Sequence, residues 1–139
     1  MEMARCNRRL FAIAVLCCAS LAGCSGGGPS DPVPTRPAYV PDIQRITYNH
    51  CAVCHTVPPQ HGAPDFYDFT QYDDDSAGKQ GVFNAGCIIK QRAVNGNPSF
   101  MPPAGQVPLT PDERETIARW AEDGRIRLVG DTAAGPVCP

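Results

Sequence analysis

Cys51, Ala52, Val53, Cys54 and His55 form a C-x-x-C-H segment. Two thiols at this spacing, followed at once by an imidazole, suit covalent attachment of a c-type haem. Each sulfur forms a thioether to one vinyl group of the macrocycle, and the histidine ligates the iron from the proximal side. The two thiols must reach opposite edges of one rigid ring while the imidazole points at its centre, which accounts for the spacing. Two other chemistries use C-x-x-C. A thiol redox motif calls for a βαβ context, and the hydropathy pattern offers none. A zinc site calls for a second ligand pair at metal spacing, whereas Cys87 and Cys138 are single and far apart. There is no second C-x-x-C-H and no internal repeat, so one haem c per chain is expected.

The N-terminus reads as an export signal. Arg5, Arg8 and Arg9 precede an almost wholly apolar run from Leu10 to Leu21, the layout of a secretory signal peptide. The run is short for a spanning helix. It ends in Leu21-Ala22-Gly23-Cys24, which resembles a bacterial lipoprotein lipobox. That resemblance implies a signal peptide over residues 1–23, cleavage before Cys24 and lipidation of Cys24. An ordinary signal peptide or an uncleaved anchor are the alternatives. Several acyl chains on one cysteine exceed the two signals needed for stable anchoring. The expected location is a bacterial membrane, with the lipid-anchored domain facing the periplasm, and Ser25 after the cysteine allows the outer membrane.

Eight cysteines divide consistently on this view. Cys6, Cys17 and Cys18 leave with the signal, Cys24 carries lipid, and Cys51 and Cys54 carry haem. Cys87 and Cys138 remain, an even number in an oxidising compartment. They form either a disulfide, favoured by the count, or two unpaired thiols.

Residues 24–40 read as a lipidated cysteine followed by a tether, flexible through Gly26, Gly27 and Gly28 and extended through Pro32, Pro34 and Pro37. The folded domain is then 41–139, small but viable. Without Arg5, Arg8, Arg9 and Glu2 the chain keeps nine basic and thirteen acidic residues, a net −4. That balance offers no basic face for nucleic acid. It is compatible with redox protein partners of opposite charge.

The elements that must position the motif read as helices, with no convincing strand. The first runs from about residue 41 to 54. Pro41 and Asp42 suit its start, and Ile43, Ile46 and Thr47 share a face with Val53 nearby. The second runs from about 81 to 95, with Phe83, Cys87, Ile88 and Val94 as an imperfect stripe and Gly96 as its stop. The third starts at Thr110-Pro111-Asp112-Glu113, an N-cap, an early proline and a capping-box glutamate. It carries Ile117, Trp120 and Ala121 inward and ends at Gly124. The fold class is all-α.

From about Pro41 to Gly124 the chain resembles a small mono-haem c-type cytochrome of class I. The likeness rests on a helix entering C-A-V-C-H, then S-F-M-P-P-A-G, then L-T-P-D-E-R-E-T-I-A-R-W-A-E-D-G. It implies a small cytochrome c fold of three main helices around the haem, with Cys51 and Cys54 as thioether residues, His55 as proximal ligand and Met101 as distal ligand. Met101 also has a chemical case. It is the one methionine left after signal removal, and a thioether suits low-spin iron and raises its potential. Pro102 and Pro103 stiffen its loop. The competitors are His61, in a polar loop, and His50, which adjoins the attachment cysteine.

Six-coordinate His/Met iron has no open site, so the expected function is one-electron transfer by a membrane-anchored carrier rather than catalysis. The alternative is a haem sensor or small-ligand binder whose sixth ligand is labile or absent. A peroxidase needs acid/base residues beside an open site, and no such constellation is legible. Phe66, Tyr67, Phe69 and Tyr72 are expected to line the haem or form a satellite core. Asp73, Asp74 and Asp75 read as a solvated acidic loop without calcium-ligand spacing.

Overall fold

In a computed structural model the described residues are 32–96, 100–132 and 135–139. The signal peptide and Cys24 lie outside them. Three helices and no strands make the described chain mostly helical: α1 (Asp42–His50), α2 (Val82–Ala93) and α3 (Pro111–Glu122). Two isolated bridges, Val40 to Leu128 and Tyr67 to Gln80, tie loops together. None of these helices is long and apolar enough to cross a membrane.

The helix α3 starts where its sequence says it must. The Thr110 side chain accepts from the Glu113 amide at 3.2 Å, and Glu113 Oε2 accepts from the Thr110 amide at 2.8 Å. This reciprocal capping box satisfies two otherwise orphaned donors. Thr116, Ile117, Trp120 and Ala121 are buried, and α3 packs against both other helices. Trp120 is fully buried, and its indole N–H donates to the Ile126 carbonyl at 3.0 Å.

The second helix carries its buried stripe elsewhere than expected. Val82, Ala85, Gly86, Ile89, Lys90 and Ala93 face inward, while Phe83, Cys87, Ile88 and Val94 pack at the edge of the core. Gly86 sets this rotation. A Cβ there would lie 2.4 Å from Arg125 Cδ and 3.1 Å from the Trp120 ring, so the helix approaches α3 closely at a glycine. Past its C-terminus Gly96 has φ +68°, and a Cβ would strike the Phe100 ring at 2.5 Å. Both demands select glycine as the stop.

Two boundaries differ from the sequence reading. The first helix ends at His50 rather than near residue 54, and Val53 is 42% exposed rather than on the apolar face. The expected tether ends early as well. Pro37, Ala38 and Tyr39 are buried, and the Tyr39 and Val40 amides donate to the Ile126 and Arg127 carbonyls, each at 2.9 Å. The folded unit therefore includes residues 37–40.

Cys87 and Cys138 are bonded, with Cα atoms 5.2 Å apart. The bond clamps the C-terminal tail onto α2 and α3. Lys90 Nζ donates to the Cys138 and Pro139 carbonyls at 3.3 and 3.0 Å and pairs with Glu122 at 3.2 Å. Arg125, buried, donates to both sulfurs and lies over the Phe83 ring.

The acidic loop is solvated as expected, with Asp73 and Asp74 exposed, and its three carboxylates also make local contacts. Asp73 pairs with Arg127 at 3.2 Å. Asp74 accepts from the Gly81 amide and from Asn84 at the start of α2, where negative charge is favoured. Asp75 accepts from the Ala77 and Lys79 amides and closes a turn.

Candidate functional site

The C-x-x-C-H segment forms its own turn after α1. The Cys51 carbonyl accepts from the Cys54 amide at 3.1 Å and from the His55 amide at 2.9 Å. Bonds of i to i+3 and i to i+4 gather Cys51, Cys54 and His55 onto one side of a single turn, as helical geometry does. The Cys51 and Ala52 amides both donate to the Thr47 carbonyl, at 2.9 and 2.8 Å, which fixes the turn to the end of α1. Behind it, the Phe69 amide donates to the His55 carbonyl at 2.8 Å.

All three motif side chains line a cavity of about 360 Å³. Met101, which the chain reaches only after α2, lines the same cavity. Its amide donates to the Arg92 carbonyl at 3.1 Å, so the loop containing it is tied to the end of α2. Ile88, Ile89 and Ala93 of α2 form one apolar wall and Phe66, Tyr67 and Phe69 another. Of the four aromatics singled out in sequence, Tyr72 is the exception. Its ring meets that of Tyr39 at a tilt of 44° with centroids 4.6 Å apart, and its hydroxyl donates to the Arg125 carbonyl at 2.8 Å.

The thiols of Cys51 and Cys54 are free, although Cys87 and Cys138 are oxidised. Burial pushes the Cys51 thiol up to about 12, with Cys54 and Glu113 adding to the shift. A redox-active thiol needs the opposite shift. His55 is lowered below its ordinary value by burial, which favours the neutral imidazole, the form that binds metal. Its ring lies 4.7 Å from the Phe69 ring and edge-on to Tyr67 at 5.7 Å. His55 Nδ1 is buried without a hydrogen-bond partner. A ring held by aromatic walls, with its polarity unspent, fits a role in ligation better than one in core packing. Two free thiols, an imidazole and a thioether lining one apolar-walled cavity are a donor set that fits a covalent haem. Among the described residues no three His, Cys, Asp or Glu side chains converge as an alternative metal site.

The competing histidines are placed differently. His50 lines the cavity but both ring nitrogens are engaged, Nδ1 with the Val107 carbonyl and Nε2 with Glu113, each at 3.1 Å. His61 lines the cavity from an exposed turn with φ +51°. Sequence reasoning missed Arg92 as a lining residue and missed the His50–Glu113 pair. Glu113 is legible as a capping residue, but nothing local announces a partner for its second oxygen. No known protein family matches the chain, and no curated protein or solved structure is significantly similar to it.

Proposed function

We propose that the protein is a membrane-anchored electron carrier with one covalent haem c, built as a small class I-type cytochrome c fold. The reading rests on one observation: Cys51, Cys54, His55 and Met101, brought from two separate loops, line a single apolar cavity. Cys51 and Cys54 would hold the macrocycle, and His55 and Met101 would supply the two ligands to its iron. The haem would supply a one-electron couple.

The chain's own residues set the conditions for that couple. Phe69, Ile89 and Ala93 are buried at the cavity, and such walls exclude water and stabilise the less charged iron state. Two tied loops keep the ligands in place while the oxidation state changes. A thioether is a weak ligand, so the anchoring of Met101 to Arg92 matters to function as well as to fold. Cys24, if lipidated, holds the domain on a membrane, and its redox donor and acceptor are proteins that dock there.

Optical spectra of the purified full chain test this reading. The proposal expects a low-spin reduced spectrum and slow, limited carbon monoxide binding. A high-spin spectrum with ready carbon monoxide binding refutes it and supports a sensor or ligand-binding protein.

A further inference from the structure

The loop bearing Met101 is held by residues outside the proposed haem-binding set. Residues 100–109 contain no ionisable side chain. Gln106, Val107 and Pro108 are exposed, and burial resumes only at Leu109. Packing holds the two ends of this stretch, through Phe100 under Arg114 and through Leu109 in the core, while residues 103–108 are exposed and depend on polar ties. One tie is at its start, from the Met101 amide to the Arg92 carbonyl. The other is at its far end, where the Val107 carbonyl lies 3.1 Å from His50 Nδ1.

His50 is held in turn by Glu113, with Nε2 3.1 Å from Oε1. The side chains of His50 and Glu113 are only 8% and 22% exposed. Glu113 cannot swing away easily, because Oε2 accepts from the Thr110 amide in the capping box of α3. Both partners of the His50 ring are acceptors. Both bonds form together only when both ring nitrogens carry hydrogen, which is the imidazolium form. The neutral ring must leave one acceptor without its donor.

We infer that His50 is a positioning residue: held by Glu113, it pins the Met101 loop to α1. The inference rests on the reading of Met101 as the sixth ligand of the iron. Without the ring, the tie from the Val107 carbonyl to α1 is lost and the sulfur is held less firmly. Burial alone would push Glu113 up, but the Thr110 amide and the charge of His50 hold its carboxyl below the ordinary value. Charged or titratable groups that share the surroundings are Glu113 from α3, Arg92 from α2, His61 from the loop after the motif and the Cys51 thiol, which haem attachment consumes. The haem carboxylates join them once the group is bound.

The test uses the full haem-loaded chain as wild type, His50→Leu and Glu113→Gln. Carbon monoxide, a neutral probe, is mixed with the reduced protein at one fixed pH, and its binding rate reads the departure of the sulfur. In His50→Leu the rate should be about tenfold or more above wild type, the effect of losing a charge-assisted bond. Glu113→Gln keeps the capping box, which glutamine also serves, but gives up the charge facing Nε2 and should raise the rate by less. A His50→Leu rate equal to wild type overturns the inference and leaves the function reading standing. If His50→Leu fails to mature, a Glu113→Gln rate equal to wild type overturns it instead. A wild type without haem, or without sulfur ligation, refutes the function reading and the inference together, and is seen before any substitution is made.

Discussion

Replacing Cys87 and Cys138 together with serine should cost this domain much of its stability. The bond joins residues 51 apart. For a loop of that length the chain-entropy estimate is about 4 kcal/mol at 25 °C, within the 2–5 kcal/mol usual for native disulfides of small exported domains. The closed ring contains the Met101 loop and all of α3, so the loss should act on the whole domain rather than on a frayed tail. Serine is the informative substitute. Its hydroxyls can still accept from Arg125, which donates to both sulfurs, so the buried guanidinium is not left without acceptors. At 4–8 °C per kcal/mol for a domain of this size, the melting temperature should fall by about 15–30 °C. Thermal melts followed by circular dichroism measure it, with any haem held reduced in every sample so that only the disulfide differs. Wild type in dithiothreitol should melt near the variant, since thioethers resist thiols. A variant that melts within about 3 °C of wild type refutes the view that this bond, rather than the helix packing, holds the tail and closes the domain.

Met101→Ala should lower the reduction potential, by on the order of 0.1 V within the roughly 0.8 V that axial ligation spans, and should open the sixth site to carbon monoxide; redox titration and visible spectra read both. Gly86→Ala gains up to about 1 kcal/mol of helix propensity, but its Cβ meets Arg125 Cδ at 2.4 Å and the Trp120 ring at 3.1 Å. Overpacking of about 1–3 kcal/mol should win, and denaturant melts should show net destabilisation. Glu113 has its carboxyl held below the ordinary value, burial opposing and the Thr110 amide and His50 prevailing. Its contribution should therefore be complete well above pH 4.5 and lost progressively as pH falls below that value, so stability measured against Glu113→Gln should converge with it in acid.

What could be read from the sequence depended on how local the cause was. The start of α3 was legible because Thr110, Pro111 and Glu113 write the cap within four residues. The end of α1 was not, because the C-x-x-C-H turn continues i to i+4 bonding after the helix has stopped. The buried face of α2 is not legible locally, because Gly86 lets Trp120 and Arg125 approach, and that contact joins distant parts of the chain. Pro37 to Tyr39 looked like tether because the Ile126 and Arg127 carbonyls that bind this strand-like stretch lie far along the sequence. In the site, the residue types of Cys51, Cys54, His55 and Met101 carried their own chemistry, and these four line one cavity. In sequence His50 reads only as a rival ligand, because its partner Glu113 is 63 residues away.

The central claim is that Cys51 and Cys54 carry a haem through thioether bonds. The most direct measurement is the intact mass of the protein purified from a bacterial host able to mature c-type cytochromes, after acidic organic extraction that removes any non-covalent haem. The account expects the mass of the processed chain plus one haem, and loss of that increment in a Cys51→Ala, Cys54→Ala variant. A chain that matures beside a known c-type cytochrome in the same host, yet shows no added haem mass and two free thiols at Cys51 and Cys54, contradicts it.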